Sequence, residues 1–389
     1  MRLLPDPDLS LRDATDFIFE SEVCRRALLN PDPSSLAVFL RDFLAEIHRL
    51  TLSCHLPEFT DHGLQHLCSL IDRLSRWSPP TVDASRSTTV TKMPPTDCAT
   101  LLLATLFHDL GMLSQRPEDL PESPAGLEAK PLRDVPTWVR DTHILRMEKL
   151  VRRLFADSPM ASALDTPVCV RAFAIARAHG KWPWEWGPFR FSPTDAGLAA
   201  MLAVADLLDE DSNRCDTSTL LHHRYGTHLN YAHWIRHSLS ANRILVDRGV
   251  ITVSLHRPPG TDAQFQVVFQ ALRNHYKLCL LYLKELRQIG AGILDIKFFP
   301  PDACPLDEAA ELQHWAKIPG FGTQSALLFH LLSSFMPEAL LDPRRLDPVN
   351  VVRLRANGLV ETDLKEFHRI RGEVELHPID EQVFLALMS

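Results

Sequence analysis

The sequence predicts a mainly α-helical bundle with a small β-hairpin extension and a C-terminal α(+β) appendage. Most of the first 290 residues place apolar side chains at helical spacing. After residue 240 the period changes, and ILVDRGVITVSL predicts a β-hairpin that turns at Asp247-Arg248-Gly249. Apolar residues make up 45% of the 389 residues and charged residues 23%, so the chain can bury a full core.

The elements follow from this pattern in chain order. Helices are predicted over residues 35–53, 61–77, about 99–110, 137–156, 167–179 and 193–210. The proline-bearing segments 78–97 and 114–136 separate them as loops, and Gly111 is predicted to cap the third helix. The helix from 193 begins with SPTD, in which Ser192 is a candidate N-cap and Pro193 the first helical residue.

A long helix over 262–288, a strand over 293–299 and a tail of about 85 residues complete the predicted order. The tail is expected to be helical with a closing hairpin. We therefore expect a first domain over 1–300, with its β-extension at about 243–299, and a small accessory domain over 301–389.

Composition narrows the classes of function. The net charge of −8 argues against broad nucleic-acid binding. No apolar run is long enough for a membrane span, and the N-terminus lacks the apolar stretch of a signal peptide. The eight cysteines form no CxxC pair, which is typical of reduced thiols. A cytoplasmic protein without membrane association is expected.

The stretch LATLFHDLGM raises the question of function, because an apolar run ends in His108 and Asp109. A buried carboxylate costs several kcal/mol unless something compensates its charge. Imidazole and carboxylate groups together are ligands of divalent transition metals. Metal-competent side chains also lie on four other predicted helices, at His66, His143, His179 and Asp206.

These residues predict a metal pocket. A cation between His66, His108, Asp109 and Asp206 would neutralise both acids, and a second ion could lie at His143 and His179, with Asp109 as the bridge. Any one of these residues would fit an ordinary buried or surface role, and Asp206 could instead pair with an arginine. The ordered set on successive helices is what indicates a metal.

The motifs TDHGLQH, LFHDLGM, RDTH, RAHG and VADLLDEDSNR resemble the HD superfamily of metal-dependent phosphohydrolases over about residues 35–300. The resemblance implies an all-helical HD-type bundle with the metal at its centre. The imidazole and carboxylate ligands suit Mn, Ni, Fe, Co or Zn, as one or two ions. The strand pair is similar to the β-extension of several bacterial HD proteins. HGKWPWEWGPF stands where the cyclic-di-GMP phosphodiesterases carry their GYP signature, and LGMLSQRPED follows HD where the deoxyguanosine triphosphatases carry GHPPFGH. The paired-acid motif of the alarmone hydrolases is absent as well, so the substrate stays open.

The expected reaction is hydrolysis of a phosphoester or phosphoanhydride by a metal-activated water. Asp109, His62 and Arg140 are the candidate catalytic residues, with His62 as proton donor or orienting group and Arg140 as a phosphate ligand. Lys181 and Arg214 are further candidates for phosphate binding, and Trp182 for stacking on a base, although packing or surface roles fit these residues too.

Three functions compete at this point. The leading one is an enzyme acting on a nucleotide, cyclic nucleotide or other phosphate-containing small molecule. The second is a non-catalytic metal-containing module that senses a nucleotide or serves as a protein scaffold, with the C-terminal region binding a partner or a second copy. The third is a nuclease acting on single-stranded nucleic acid.

Overall fold

The computed structural model describes residues 10–29, 33–54, 63–77, 89–113, 135–158, 161–209, 240–255, 276, 278–293, 295–299, 354–355 and 358–359. In these residues the fold is mainly helical, which confirms the predicted class. The helices are α1 (Leu11–Phe19), α2 (Glu22–Ala27), α3 (Pro33–Cys54), α4 (Leu64–Arg76), α5 (Thr89–Lys92), α6 (Pro95–Phe107), α7 (Val135–Leu154), α8 (Pro167–Ala178), α9 (Pro193–Leu207) and α10 (Leu283–Gln288).

Several helices begin at the hydroxyl caps that their sequences offer. The Ser192 side chain accepts a hydrogen bond from the backbone N–H of Asp195 at 3.1 Å, and Pro193 follows as the first residue of α9, as predicted. Thr166 caps α8 in the same way. Ser10 and Ser21 cap α1 and α2, two helices that the periodicity of the N-terminal segment did not predict. Such caps satisfy backbone donors that have no partner within the helix.

Helix α6 lies at the centre of the bundle. Every residue from Cys98 to Phe107 is buried, as expected of a helix that is apolar on all sides. The ring of Phe107 lies 4.7 Å from that of Phe173 on α8 and 5.3 Å from that of Phe43 on α3. This aromatic packing holds the C-terminal end of α6, and therefore the two residues that follow it.

The chain after α6 differs from the prediction. Helix α6 ends at Phe107, and residues Leu110–Leu113 form a 3₁₀ helix that contains Gly111. Gly111 is therefore not a helix cap. A Cβ atom at this position would lie 2.7 Å from the Cα and carbonyl carbon of His143, so the glycine permits the backbone of α7 to approach closely.

Two other segments also depart from their predictions. The predicted loop over 78–97 contains α5 and the first turn of α6. Within the described part of the predicted helix over 262–288, Leu278–Tyr282 is a 3₁₀ helix and only Leu283–Gln288 is α-helical.

Strands β1 (Ser240–Asp247), β2 (Val250–Leu255) and β3 (Asp295–Phe299) form a sheet in the order β1-β2-β3. Positive φ angles at Arg248 (49°) and Gly249 (76°) make the two-residue turn of the predicted hairpin. In the tail, β4 (Leu354–Arg355) and β5 (Gly358–Leu359) pair antiparallel.

The chain divides into two compact units. The first comprises Met1–Asp209, Leu245–Ile251 and Tyr282–Leu294, and the second comprises Glu210–Ile244, Thr252–Leu281 and Asp295–Ser389. Among the helices that the structure describes, none combines the length and the apolar character needed to cross a membrane. The division of the chain at residue 300 remains a prediction.

Candidate metal centre

The first unit brings six predicted ligands to one place. His66 comes from α4, His143 from α7 and Asp206 from the last turn of α9. His108 and His179 are the C-cap residues of α6 and α8, and Asp109 follows directly after His108. In the described residues these side chains form two groups with metal-competent geometry, the first with His66, His108, Asp109 and Asp206, the second with Asp109, His143 and His179.

The first group surrounds a common point. The Nε2 atoms of His66 and His108 are 3.1 Å apart. The Asp109 Oδ2 atom lies 3.6 Å from His66 Nε2 and 3.4 Å from His108 Nε2. Asp206 Oδ1 lies 3.7 Å from each of the same two nitrogens.

The second group uses the other oxygen of the same carboxylate. Asp109 Oδ1 lies 3.4 Å from His143 Nε2 and 3.4 Å from His179 Nε2, and these two nitrogens are 3.5 Å apart. Asp109 therefore faces one histidine pair with each of its oxygens. A carboxylate placed in this way is suited to bridge two cations.

These separations fit coordination to a metal ion. When each ligand atom lies ~2.1 Å from a transition metal, neighbouring ligands are about 3.4 Å apart in a four-coordinate site and about 3.0 Å apart in a six-coordinate one. The second group matches the four-coordinate spacing with three side chains from the described residues. The His/Asp cluster is compatible with a divalent metal.

The hydrogen bonds of the histidines fix which ring nitrogen faces the centre. The Nδ1–H groups of His108 and His179 donate to the carbonyl oxygens of Thr105 (2.7 Å) and Ala176 (2.6 Å), and that of His143 donates to the carbonyl of Arg140. A proton on Nδ1 leaves a lone pair on Nε2, which is the form that binds metals. Each of these carbonyls lies three residues before its histidine, at the C-terminal ends of α6 and α8 for His108 and His179 and within α7 for His143.

Electrostatics differ between the two groups. Burial alone would lower the pKa of His108, but the carboxylates of Asp109 and Asp206 outweigh it and raise that pKa to about 10. Burial, reinforced by the neighbouring charge on His179, lowers the pKa of His143 to about 4 against the attraction of Asp109. Burial also opposes ionisation of Asp206, yet its hydrogen bond to His108 holds the pKa of this carboxyl below its usual range.

The structure also positions three of the predicted substrate residues. Arg140 is half-buried and lies one turn before His143 on α7. Lys181 and Trp182 are half-buried in the segment that follows His179, where the Trp182 ring stacks on Trp184 with centroids 5.8 Å apart. His62 and Arg214 lie outside the described residues.

This aromatic segment is attached to the end of α8. The Trp186 Nε1–H donates to the carbonyls of Ala178 (3.1 Å) and Lys181 (3.2 Å), and the Tyr282 hydroxyl donates to the latter at 3.3 Å. These hydrogen bonds fix the aromatic segment at the end of α8, and Trp182 lies in this segment three residues after His179.

Asp209 is a residue next to the cluster that the sequence does not reveal. The acidic run Asp209, Glu210, Asp211 is typical of a solvated helix end, yet Asp209 is fully buried and accepts a hydrogen bond from His66 Nδ1 at 2.6 Å. The signal was present on α4, where His66, Ser69 and Arg73 share one face. That face needs an acid to compensate the arginine, and Asp209 lies one turn beyond Asp206.

One comparison with known proteins identifies a family for the chain. No curated protein and no solved structure shows significant similarity to the chain. A family model described as HD-CE matches residues 56–286, more than half of the chain, and this span includes all six side chains of the two groups. The chain belongs to the HD-CE family and contains an HD-type domain.

Proposed function

We propose that this protein is a metal-dependent phosphohydrolase that hydrolyses a phosphoester or phosphoanhydride bond of a nucleotide or cyclic nucleotide. The observation that carries the proposal is the placement of Asp109, whose two oxygens each lie 3.4–3.6 Å from the Nε2 atoms of a different histidine pair. Paired cations on a shared carboxylate suit displacement at phosphorus.

His66, His108, Asp109 and Asp206 would hold one ion, and Asp109, His143 and His179 a second. Divalent cations of this kind supply Lewis-acid activation of water and charge neutralisation at a phosphoryl group. Mn, Ni, Fe, Co and Zn all accept this mixture of nitrogen and oxygen ligands. Within the described part of the chain the second group offers three ligands against four in the first, so we assign substrate binding to the side of His143 and His179.

The exposure of the side chains indicates from which side a substrate reaches the centre. The exposed fraction of the side chain is 29% for Asp206 and 15% for His143, against 0% for His66 and His108. A substrate therefore approaches the centre from the side of Asp206 and His143. Arg140, one turn from His143, is our candidate to neutralise phosphoryl oxygens during the reaction.

The segment after His179 supports a nucleotide as the substrate. Lys181 offers a positive charge for a phosphate, and the neighbouring Trp182 offers an aromatic face on which a base can stack. We retain the predicted roles of Arg214 in phosphate binding and of His62 in protonating the leaving oxygen or orienting a ligand.

A phosphate-release screen tests the proposal. Full-length protein is stripped of metal, reconstituted separately with Mn²⁺, Ni²⁺, Co²⁺ or Zn²⁺, and offered nucleotides, cyclic nucleotides, cyclic dinucleotides and single-stranded oligonucleotides. We expect turnover on a nucleotide or cyclic nucleotide that Asp109→Ala abolishes.

Two outcomes would redirect the proposal. Cleavage confined to oligonucleotides would favour the nuclease alternative. Well-folded, metal-loaded protein that releases nothing would overturn the enzyme in favour of a nucleotide sensor or scaffold.

A further inference from the structure

We propose that Asp209 is a positioning residue for the metal ligand His66, and that Arg73 and Ser69 hold Asp209 in the orientation that fixes the proton on His66 Nδ1. This inference rests on the proposed metal centre. It adds a function for three side chains that lie outside both groups of ligands. The network joins α4 to the end of α9 and lies entirely within the first unit.

His66 differs from the other three histidines in its hydrogen-bond acceptor. His108, His143 and His179 donate their Nδ1–H groups to backbone carbonyls, whereas His66 donates to the Asp209 carboxylate at 2.6 Å. A charged acceptor makes a stronger hydrogen bond than a neutral one, so the His66 ring is held more firmly than the other three imidazoles.

The other oxygen of Asp209 is fully engaged. Asp209 Oδ1 accepts a hydrogen bond from Arg73 Nη1 at 3.1 Å and another from the Ser69 hydroxyl. Arg73 Nη1 also donates to the carbonyl of Ala205 at 3.0 Å, the residue just before the ligand Asp206. The arginine thus connects α4 both to the last turn of α9 and to Asp209, which follows that helix.

The network is buried, so the charge of Asp209 must be compensated by a neighbouring side chain. The exposed fraction is 0% for both Asp209 and His66 and 5% for Arg73. A carboxylate so far from water must be compensated by a cation, and Arg73 supplies the charge. With Oδ1 held by two donors, Oδ2 faces His66 and accepts its Nδ1–H, which orients the imidazole.

The Asp209→Asn substitution is expected to move the proton of His66 from Nδ1 to Nε2. The two donors Arg73 and Ser69 require an acceptor at the Oδ1 position, so the amide oxygen lies there and the amide NH₂ faces His66. A donor then opposes Nδ1, and the favoured tautomer carries its proton on Nε2 instead. Nε2 is the atom that points at His108 and the metal position, and its lone pair would be lost to the metal.

The test is a Co²⁺ titration of the full-length, metal-free protein, followed by its visible absorption and by competition with a chelator. We expect Asp209→Asn to weaken the first Co²⁺ equivalent by ~10–100-fold and to change its absorption spectrum. Asp209→Glu keeps the charge and should restore part of the affinity. Asp72→Asn is the matched control, because Asp72 is also buried on α4 and pairs with Arg76 at 2.7 Å, away from the centre. Its Co²⁺ affinity should equal that of the wild type.

The outcomes separate this inference from the proposed function. If the wild type binds no Co²⁺, the proposed function fails. If the wild type binds Co²⁺ and Asp209→Asn binds it equally well with the same spectrum, the positioning role is overturned while the metal centre stands.

Should Asp209→Asn unfold, nuclear magnetic resonance of the Zn²⁺-loaded wild type decides the question. We expect a slowly exchanging proton on His66 Nδ1 and none on Nε2. A His66 ring without a proton on Nδ1 would contradict the proposal without any substitution.

Discussion

At the scale of single residues, the account depends most on Asp109. Its carboxylate is the side chain shared by both groups, so its removal takes a ligand from each. We expect Asp109→Ala to lower phosphate release by at least ~10³-fold, because groups that act as a unit in a reaction are not replaced by their neighbours. Metal content should fall as well.

The control for Asp109→Ala is Asp157→Ala, which removes an exposed acid beyond the end of α7. This variant should keep full activity and metal content. A thermal melt of both variants separates lost chemistry from lost folding. If folded Asp109→Ala retained wild-type turnover, the shared carboxylate would have no part in the reaction.

The protonation of His108 is expected to make the stability of the metal-free protein depend on pH. Its pKa is raised from 6.5 to about 10 by Asp109 and Asp206, against the effect of burial. Between these values the folded chain holds a proton that the unfolded chain has lost. The contribution to stability is complete below pH 6.5 and is lost as the pH rises through about 10, so the free energy of unfolding should fall from pH 7 to pH 10.

Metal affinity should follow pH in the opposite direction. A cation must displace the proton from His108, so binding should tighten as the pH rises from 7 to 9. Denaturant melts of the metal-free protein and metal titrations across this range measure both effects, and His108→Gln should flatten the stability profile. A wild-type stability that increases with pH over this range would contradict the assigned protonation.

The sequence predicted which metal-competent side chains come together, and it did not predict the residues that support them. Such side chains stand out within apolar helices, as they do at His66, His108, Asp109, His143, His179 and Asp206. Asp209 could not, because an acidic run at a helix end is usually solvated and its buried partners lie on a helix some 140 residues earlier. Which acid of such a run folds inward is decided by tertiary packing.

At the scale of elements, the position of His143 depends on how closely α7 approaches the 3₁₀ helix that contains Gly111. A methyl group on Gly111 would collide with the backbone of His143. We expect Gly111→Ala to cost about 1–3 kcal/mol of stability, because the clash is with backbone that cannot rotate away. Because His143 must move, metal content at the second group should fall too.

Gly187→Ala is the matched control, since a Cβ atom there meets nothing within 4 Å. Its stability should change by no more than about 0.5 kcal/mol. Denaturant melts and metal analysis of the two variants check the prediction. Equal stability in both would show that α7 can shift without cost and that the close approach at Gly111 does not position His143.

Helical periodicity predicted most of α3 to α9, because each buries one face or, for α6, every face. It could not locate the ends of α6, where the chain turns into a 3₁₀ helix at Leu110. That turn depends on contacts with α7, which local sequence does not encode. The hairpin was predicted correctly, because Arg248-Gly249 carries its own turn signal.

At the scale of the whole molecule, every residue of the two His/Asp groups belongs to the first unit and to the span that matches the HD-CE model. The helical class and the HD-type domain follow from this part of the chain. The role of residues 301–389 as an accessory domain that binds a partner or a second copy remains a prediction.

The measurement that tests the account most directly is the metal content of the full-length protein after reconstitution and removal of free ions. We predict two equivalents of Mn²⁺ or another divalent transition metal per chain in the wild type. The double variant His143→Ala/His179→Ala should retain one, because the ligands of the first group are intact. A well-folded wild type that retains no transition metal would contradict the central claim, and equal metal content in both proteins would contradict the second group.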